Sequence, residues 1–238
     1  MTDLLSQQAE QLFRLSLSPT QQEQFALYER ELVAWNTHTN LTAITDPEGV
    51  RIRHFLDSLS VVEAVPMKAG LRVIDVGTGA GFPGIPLKIL FPEIEMTLLE
   101  ATGKKINFLK HVAETLDISK GIHFVNLRAE EAGQAPDQRA KYDVVLARAV
   151  ARLPILLEYL LPLATIGGVC VAMKGRTARE EVNASTHALQ KLGGVFEKII
   201  DVNLPDTAEP HHLVLIRKVA HTPSPYPRRS GLPTQKPL

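Results

Sequence analysis

Apolar positions change their period near residue 71. Upstream, Leu4, Leu5, Leu12, Phe13 and Leu15 recur loosely at helical spacing. Ser18-Pro19-Thr20-Gln21 then reads as a capping box with proline at the first helical position. The helix it opens carries Phe25, Tyr28, Leu32 and Trp35 three and four residues apart, a stripe suited to packing. Polar residues from Asn36 to Thr42 break that helix, and Asp46-Pro47-Glu48 restarts one. Arg51, Arg53, His54 and Asp57 fall on this restarted helix among Phe55, Leu56 and Leu59, a mixed cluster that by itself reads as a solvated face. Residues 1–70 are thus expected to form an N-terminal helical cap.

From Leu71 the pattern alternates strands with helices, as βαβ units do. Strands are expected at 71–76, 94–100, 122–126, 142–146 and 168–173, with helices over 103–116 and 178–192. A terminal strand pair follows at 195–202 and 212–217. The architecture expected is α/β, a seven-stranded mostly parallel sheet of the Rossmann-like class I methyltransferase type over residues 71–219. Residues 220–238 are proline-rich and basic, extended in character, and either drape over the core or stay free.

The first strand ends in Asp75-Val76-Gly77-Thr78-Gly79-Ala80-Gly81-Phe82-Pro83-Gly84. A dinucleotide fingerprint would place glycine at position 82, where Phe82 stands. The pattern suits S-adenosylmethionine better than NAD, because Asp75 at the strand end can accept hydrogen bonds from the cofactor's ammonium. Ligands of open parallel sheets sit at the carboxyl ends of the strands. Glu100 closes the second strand and is a natural acceptor for two ribose hydroxyls. The Ala129-Glu130 backbone, after the third strand, is placed to read an adenine edge. Phe82 either packs on the methionine portion or plugs the gap between helix and sheet. Arg148, after the fourth strand, either fixes a methionine carboxylate or guanine O6, or pairs with a neighbouring carboxylate. The Asn/Asp-Pro-Pro-Tyr motif of amino-directed nucleic-acid methyltransferases is missing here. Guanine N7 already offers an in-plane lone pair, so a transferase acting there needs positioning rather than a base.

Composition changes this picture little. The 238 residues carry no net formal charge, so bulk electrostatics do not advertise a nucleic-acid binder. After Glu209 no acidic residue occurs, while Arg217, Lys218, Arg228, Arg229 and Lys236 follow, and these with Arg51 and Arg53 are the expected RNA-contacting patches. On that reading the C-terminal tail serves RNA rather than cofactor binding. No basic leader precedes an apolar block, no run is long enough to span a bilayer, and the single Cys170 excludes an internal disulfide. A cytoplasmic, reducing location and a monomer are the expectations. No metal site is expected, since the histidines are scattered and His211 and His212, adjacent in a strand, face opposite ways.

The chain resembles a known family over nearly its whole length. The residues carrying the resemblance include Trp35-Asn36, Asn40 to Ile44, His54-Phe55-Leu56-Asp57-Ser58-Leu59, the glycine turn, Leu99-Glu100, Lys104-Lys105, Arg128-Ala129-Glu130, Arg148-Ala149-Val150, Lys174-Gly175 and Tyr226-Pro227-Arg228-Arg229. Together they are similar to the RsmG, or GidB, family of guanine-N7 methyltransferases of small-subunit ribosomal RNA. The resemblance implies S-adenosylmethionine as donor and a guanine of 16S rRNA, free or in the small subunit, as acceptor. It places the cofactor on Gly77, Phe82, the turn Glu100-Ala101-Thr102, Ala129-Glu130 and Arg148, with Asp75 and Gly79 completing the glycine turn. It also moves Arg53, His54 and Asp57 from a solvated face to a wall of the site, so that His54 and Asp57 join Arg148 as catalytic candidates. Short family members lack the Tyr-Pro-Arg-Arg tail. Two other classes fit the residues less well: a methyltransferase of small molecules or proteins, and an RNA-binding assembly factor that kept the fold without catalysis.

Overall fold

The computed structural model describes residues 2–238. Among these residues, β1 (Arg72–Val76), β2 (Glu95–Leu99), β3 (Ile122–Val125), β4 (Tyr142–Arg148), β5 (Ala164–Lys174), β6 (Gly194–Val202) and β7 (His211–Lys218) form one sheet in the order β3-β2-β1-β4-β5-β7-β6. β1 to β5 pair in parallel, and β7 runs antiparallel to β5 and β6. The seven-stranded, mostly parallel sheet expected from the alternation is present. Strand order reverses between β1 and β4, and the crevice at such a switch point is where open sheets take ligands.

Successive strand residues face opposite ways, so the parity of each strand sorts its side chains between two cores. Val73, Leu98, Val144 and Leu146 pack with the N-terminal helices and with α5 (Gly84–Leu90) and α6 (Gly103–Thr115). The N-terminal contribution comes from α1 (Thr2–Phe13), α2 (Pro19–Asn36) and one helical stretch of changing pitch. That stretch runs through α3 (Pro47–Gly49), a π-helical segment (Val50–Leu56), α4 (Asp57–Leu59) and a 3₁₀ turn (Ser60–Glu63). Phe25, Tyr28, Phe55 and Leu59 are almost wholly buried there, each side chain contributing about 1.5–3 kcal/mol by its removal from water. The N-terminal helices therefore share the sheet's own core. Ile74, Val76, Val145 and Ala172 face the other side, against α7 (Ala129–Gln134), α8 (Leu153–Leu160), α9 (Ala178–Asn183) and α10 (Thr186–Leu192).

Three elements depart from the sequence pattern. The expected helix over 178–192 is broken into α9 and α10, because buried Ser185 donates its hydroxyl back to Glu181 O at 2.6 Å and interrupts the ladder. α8 lies in Leu-Pro-Ile-Leu-Leu-Glu-Tyr-Leu, apolar on nearly every side and hence without a helical period to read. β5 begins at Ala164, ahead of Gly167 in the left-handed region at φ +86°, where the register against β4 shifts.

The C-terminal residues drape over the second face and end in a short helix, α11 (Leu232–Gln235). Their principal anchor is Arg228, whose backbone N–H and guanidinium both reach Glu158 on α8, with Nη2 2.7 Å from Oε2. The Glu158 side chain is only 1% exposed. Arg139 adds hydrogen bonds to the carbonyls of Tyr226 and Thr222 at 2.7 and 2.8 Å. Pro227 fits against Gly133, where an added Cβ would stand 2.6 Å from Pro227 Cγ. Removing one partner of a buried pair strands the other charge. Arg228→Ala is therefore expected to cost about 3 kcal/mol in urea unfolding, and a loss below about 1 kcal/mol would show that the pair contributes little.

Candidate active site

At the carboxyl edge of β1 and β2 the backbone folds back on itself. Gly77 N and Thr78 N both donate to Leu99 O, at 2.9 and 3.1 Å, tying the glycine turn to the end of β2. Tyr28 of α2 clamps the turn from the other side, donating its hydroxyl to Ala80 O at 2.5 Å and stacking on Phe82 with centroids 5.2 Å apart. Gly81, at φ +100°, has no room for a Cβ, which would lie 2.7 Å from the Tyr28 hydroxyl and from Ile85 Cδ1. Gly79, at φ +62°, is different: the nearest atom to an added Cβ is the Gly77 carbonyl at 4.0 Å. The turn is packed tight beneath and open above.

A cavity of about 280 Å³ opens beside this turn. Gly77, Glu100, Ala101, Ala129 and Glu130 line it, as expected for residues at the ends of successive strands. Glu100 is 7% exposed, and its two carboxylate oxygens are held apart by backbone amides, Gly79 N at 3.1 Å on Oε2 and Thr102 N at 2.8 Å on Oε1. Thr102 thus belongs to the site through its backbone. Val150, Tyr159, Gly231 and Thr234 also line it, and sequence reading assigned none of them to the site.

Asp75 and Phe82 sit behind the turn rather than on the cavity. Asp75 shares the parity of Val73 and faces the N-terminal helices, wholly buried. Its Oδ2 accepts from Thr78 Oγ1 at 2.6 Å and Gly84 N at 2.9 Å, bracing the turn, whereas Oδ1 has no partner among the described residues. Burial pushes its carboxyl up to about 6. Phe82 is 4% exposed and plugs the gap between Tyr28, Phe55 and His54, the imidazole stacking on it at 4.4 Å. Of the two roles open to Phe82, the structure shows the packing one.

Arg148, His54 and Asp57 are brought together. Val144, Leu146 and Arg148 alternate onto the same face of β4, so the guanidinium meets the helical stretch carrying His54 and Asp57. Arg148 Nη1 donates to Asp57 Oδ2 and Arg53 O, both at 2.9 Å, Nη2 lies 3.3 Å from His54 Nδ1, and the group sits 5.0 Å over the Phe82 ring. His211 reaches Asp57 Oδ1 at 3.1 Å, the ring N–H donating because a carboxylate only accepts. Sequence reading missed His211, although odd positions of β7 (His211, Leu213, Leu215) share this face and would have pointed to it. His212 turns the other way, to Asp201. Burial alone would raise the Asp57 carboxyl, but the His211 hydrogen bond and the Arg148 guanidinium together hold it below its ordinary value. Burial, reinforced by the Arg148 charge, pulls His54 down to about 4 and keeps it neutral near pH 7.

The basic patches expected to meet RNA are largely spent within the chain. Arg51 is buried and bonded to Gln8, Arg53 pairs with Asp46, Arg217 with Glu197 and Arg228 with Glu158. Lys218 is buried and donates to Leu192 O at 2.8 Å. Arg229 and Lys236 remain exposed. Among the described residues no helix is long and apolar enough to cross a membrane.

Comparison with known proteins identifies the family and the fold. Residues 21–214 match the family model described as GidB, rRNA small subunit methyltransferase G. Ribosomal RNA small subunit methyltransferase G of Lactobacillus delbrueckii subsp. bulgaricus is 48% identical over 95% of this chain and 95% of its own. The Caldanaerobacter subterraneus protein of the same name is 50% identical over 91% and 90%, and that of Desulfitobacterium hafniense 44% over 99% and 97%. Among solved structures, geranyl diphosphate C-methyltransferase of Streptomyces coelicolor, in complex with S-adenosyl-L-homocysteine, superposes with a TM-score of 0.56 at 13% identity, covering 85% of this chain and 99% of its own. A SAM-dependent O-methyltransferase of Thermotoga maritima gives 0.54 at 16% over 80% and 72%. Likeness at such low identity shows the fold alone, that of class I methyltransferases. The matched model and the relatives near half identical over almost the full length settle the lineage: the chain belongs to the GidB family of small-subunit ribosomal RNA methyltransferases.

Proposed function

We propose that this chain transfers the methyl group of S-adenosylmethionine to N7 of a guanine in 16S rRNA of the small ribosomal subunit, in the cytoplasm. The observation that carries this reading is the Glu100 carboxylate, held by two backbone amides at the lip of a cavity beside an open glycine turn. The residues fit the donor. Space above Gly79 admits a ligand against the backbone, Glu100 retains lone pairs for two ribose hydroxyls, and Asp75 Oδ1 is a buried acceptor without a partner among the described residues. Gly77, Gly79, Glu100, Ala101, Thr102, Ala129 and Glu130 hold the nucleoside on this reading, Asp75 braces the turn from behind, and Arg148 is assigned to the methionine end.

When bound, the donor supplies an electrophilic methyl group on a sulfonium, and the guanine N7 lone pair needs no base to attack it. The protein's task is alignment and exclusion of water. Arg148 serves that task because Asp57 and Arg53 O fix its guanidinium, presenting planar donors to a methionine carboxylate or guanine O6. His54 Nδ1 lies between Arg148 Nη2 at 3.3 Å and Arg53 O at 3.2 Å, while Nε2 is 2.9 Å from Thr42 Oγ1, so the ring is held on both sides. It orients Arg148 rather than exchanging a proton with substrate. Asp57, locked between Arg148 and His211, acts in the same way.

Labelled donor incubated with small subunits, total RNA, protein and metabolites is expected to label 16S rRNA alone, at a guanine whose N7 methylation makes the strand cleavable by reduction and aniline. Label confined to protein or small molecules would reject the assignment. Arg148→Lys keeps the charge but loses the fork, and a fall in turnover of about 10-fold or more is expected; an unchanged rate removes Arg148 from the site.

His54 gives a separate outcome. Its folded pKa of about 4 lies below its ordinary 6.5, so the unfolded chain takes up the proton first. Stability present above pH 6.5 is accordingly lost as pH falls toward 4. A His54→Gln variant has no such loss, so its destabilisation relative to the parent is expected to shrink by about 2–3 kcal/mol between pH 7.5 and pH 4.5. Urea unfolding at both pH values checks this, and a constant difference would show that His54 is not held neutral.

A further inference from the structure

The C-terminal segment, read from sequence as an RNA-binding tail, reaches the cavity instead. Gly231, at φ +82°, turns the chain and donates its N–H to Glu130 Oε1 at 3.0 Å. Three residues on, Thr234 Oγ1 lies 3.4 Å from the Tyr159 hydroxyl. Both Gly231 and Thr234 line the same cavity as Glu100 and Ala129. The segment is held there by anchors spaced along it. Arg139 takes the carbonyls of Thr222 and Tyr226, Gln134 takes Pro227 O at 2.8 Å, and Arg228 is locked on Glu158. The three partner side chains, Gln134, Arg139 and Glu158, are on or near α7 and α8, the two helices that flank the end of the cavity where Ala129 and Glu130 sit. A solvated tail that served only RNA would not need so many internal bonds.

We propose that Gly231 and Thr234, with Tyr159 beneath them, form the outer wall of the nucleoside end of the donor pocket and position the adenine. This rests on the reading of the cavity as a donor site. Gly231 N–H holds one oxygen of Glu130, which fixes the start of α7 and with it the Ala129-Glu130 backbone. The Thr234 and Tyr159 hydroxyls add polar groups at the rim, where a purine presents ring nitrogens and an exocyclic amine. The family model ends at residue 214, so Gly231 and Thr234 lie outside the matched span while Tyr159 lies within it. The Desulfitobacterium relative aligns over 99% of this chain, so its match runs into the segment.

The test compares the full chain with a version ending at Ser230, which keeps the Arg228–Glu158 pair, and with Thr234→Trp, which fills the rim without shortening the chain. Calorimetric titration with S-adenosylhomocysteine is expected to show Kd raised about tenfold or more in both, with adenosine weakened in parallel. RNA affinity by filter binding and kcat at saturating donor are expected to stay within about twofold to threefold, so that the loss falls on the donor KM. If both variants bind S-adenosylhomocysteine within twofold of the full chain, or if RNA affinity falls while Kd holds, the proposal is overturned. A full chain that binds neither compound defeats the donor-site reading itself, which is a separate and recognisable result.

Discussion

The buried Arg148–Asp57 pair adds a polar constraint to three parts of the chain that already share an apolar core. Asp57 comes from the N-terminal helical stretch, Arg148 from the end of β4 and His211 from the start of β7. A carboxylate 5% exposed is tolerated only when its lone pairs are filled by donors, and here Arg148 and His211 fill them. The cost of leaving any one of these groups unpaired fixes where the helical stretch sits over the sheet edge. That placement in turn sets the His54 ring on Phe82, and Phe82 closes the underside of the glycine turn. The glycine turn is therefore backed by residues far from it in sequence.

Local chemistry was legible before the fold. The strand run into Asp75, the glycine spacing around Phe82 and the acid at the end of β2 all sit where periodicity and turn chemistry put them. What sequence could not convey was direction. Asp75 is at the strand end, as expected, but parity turns its carboxylate inward to brace Thr78 and Gly84. Arg148 likewise follows the fourth strand, and only the alternation Val144, Leu146, Arg148 says which helices it meets. α8 escaped notice because a helix buried on nearly all sides loses its amphipathic period. Thr234 was invisible for a different reason: no spacing rule links it to Tyr159 of α8, which it meets only through the drape of the C-terminal segment.

The zero net charge also has a structural meaning. Basic residues that look available along the sequence are neutralised one by one, at Asp46, Glu197 and Glu158, or buried on carbonyls as Lys218 is. Burial pulls Lys218 down to about 8, so even its charge is partly withdrawn near neutrality. The patches that stand out along the sequence therefore contribute little to holding a polyanion, a task left to exposed cations elsewhere such as Lys104, Lys110 and Arg128.

Cys170 occupies the middle of β5, fully buried, with burial pushing its thiol up to about 12. A thiol that stays protonated and out of reach is inert toward alkylating and oxidising reagents. Because it is the chain's one cysteine, the molecule offers a silent background for thiol chemistry. A single cysteine placed on the exposed side of the C-terminal segment would then be the one position to take up a fluorophore or spin label. No native residue need be removed first, and the label would report the environment at that point.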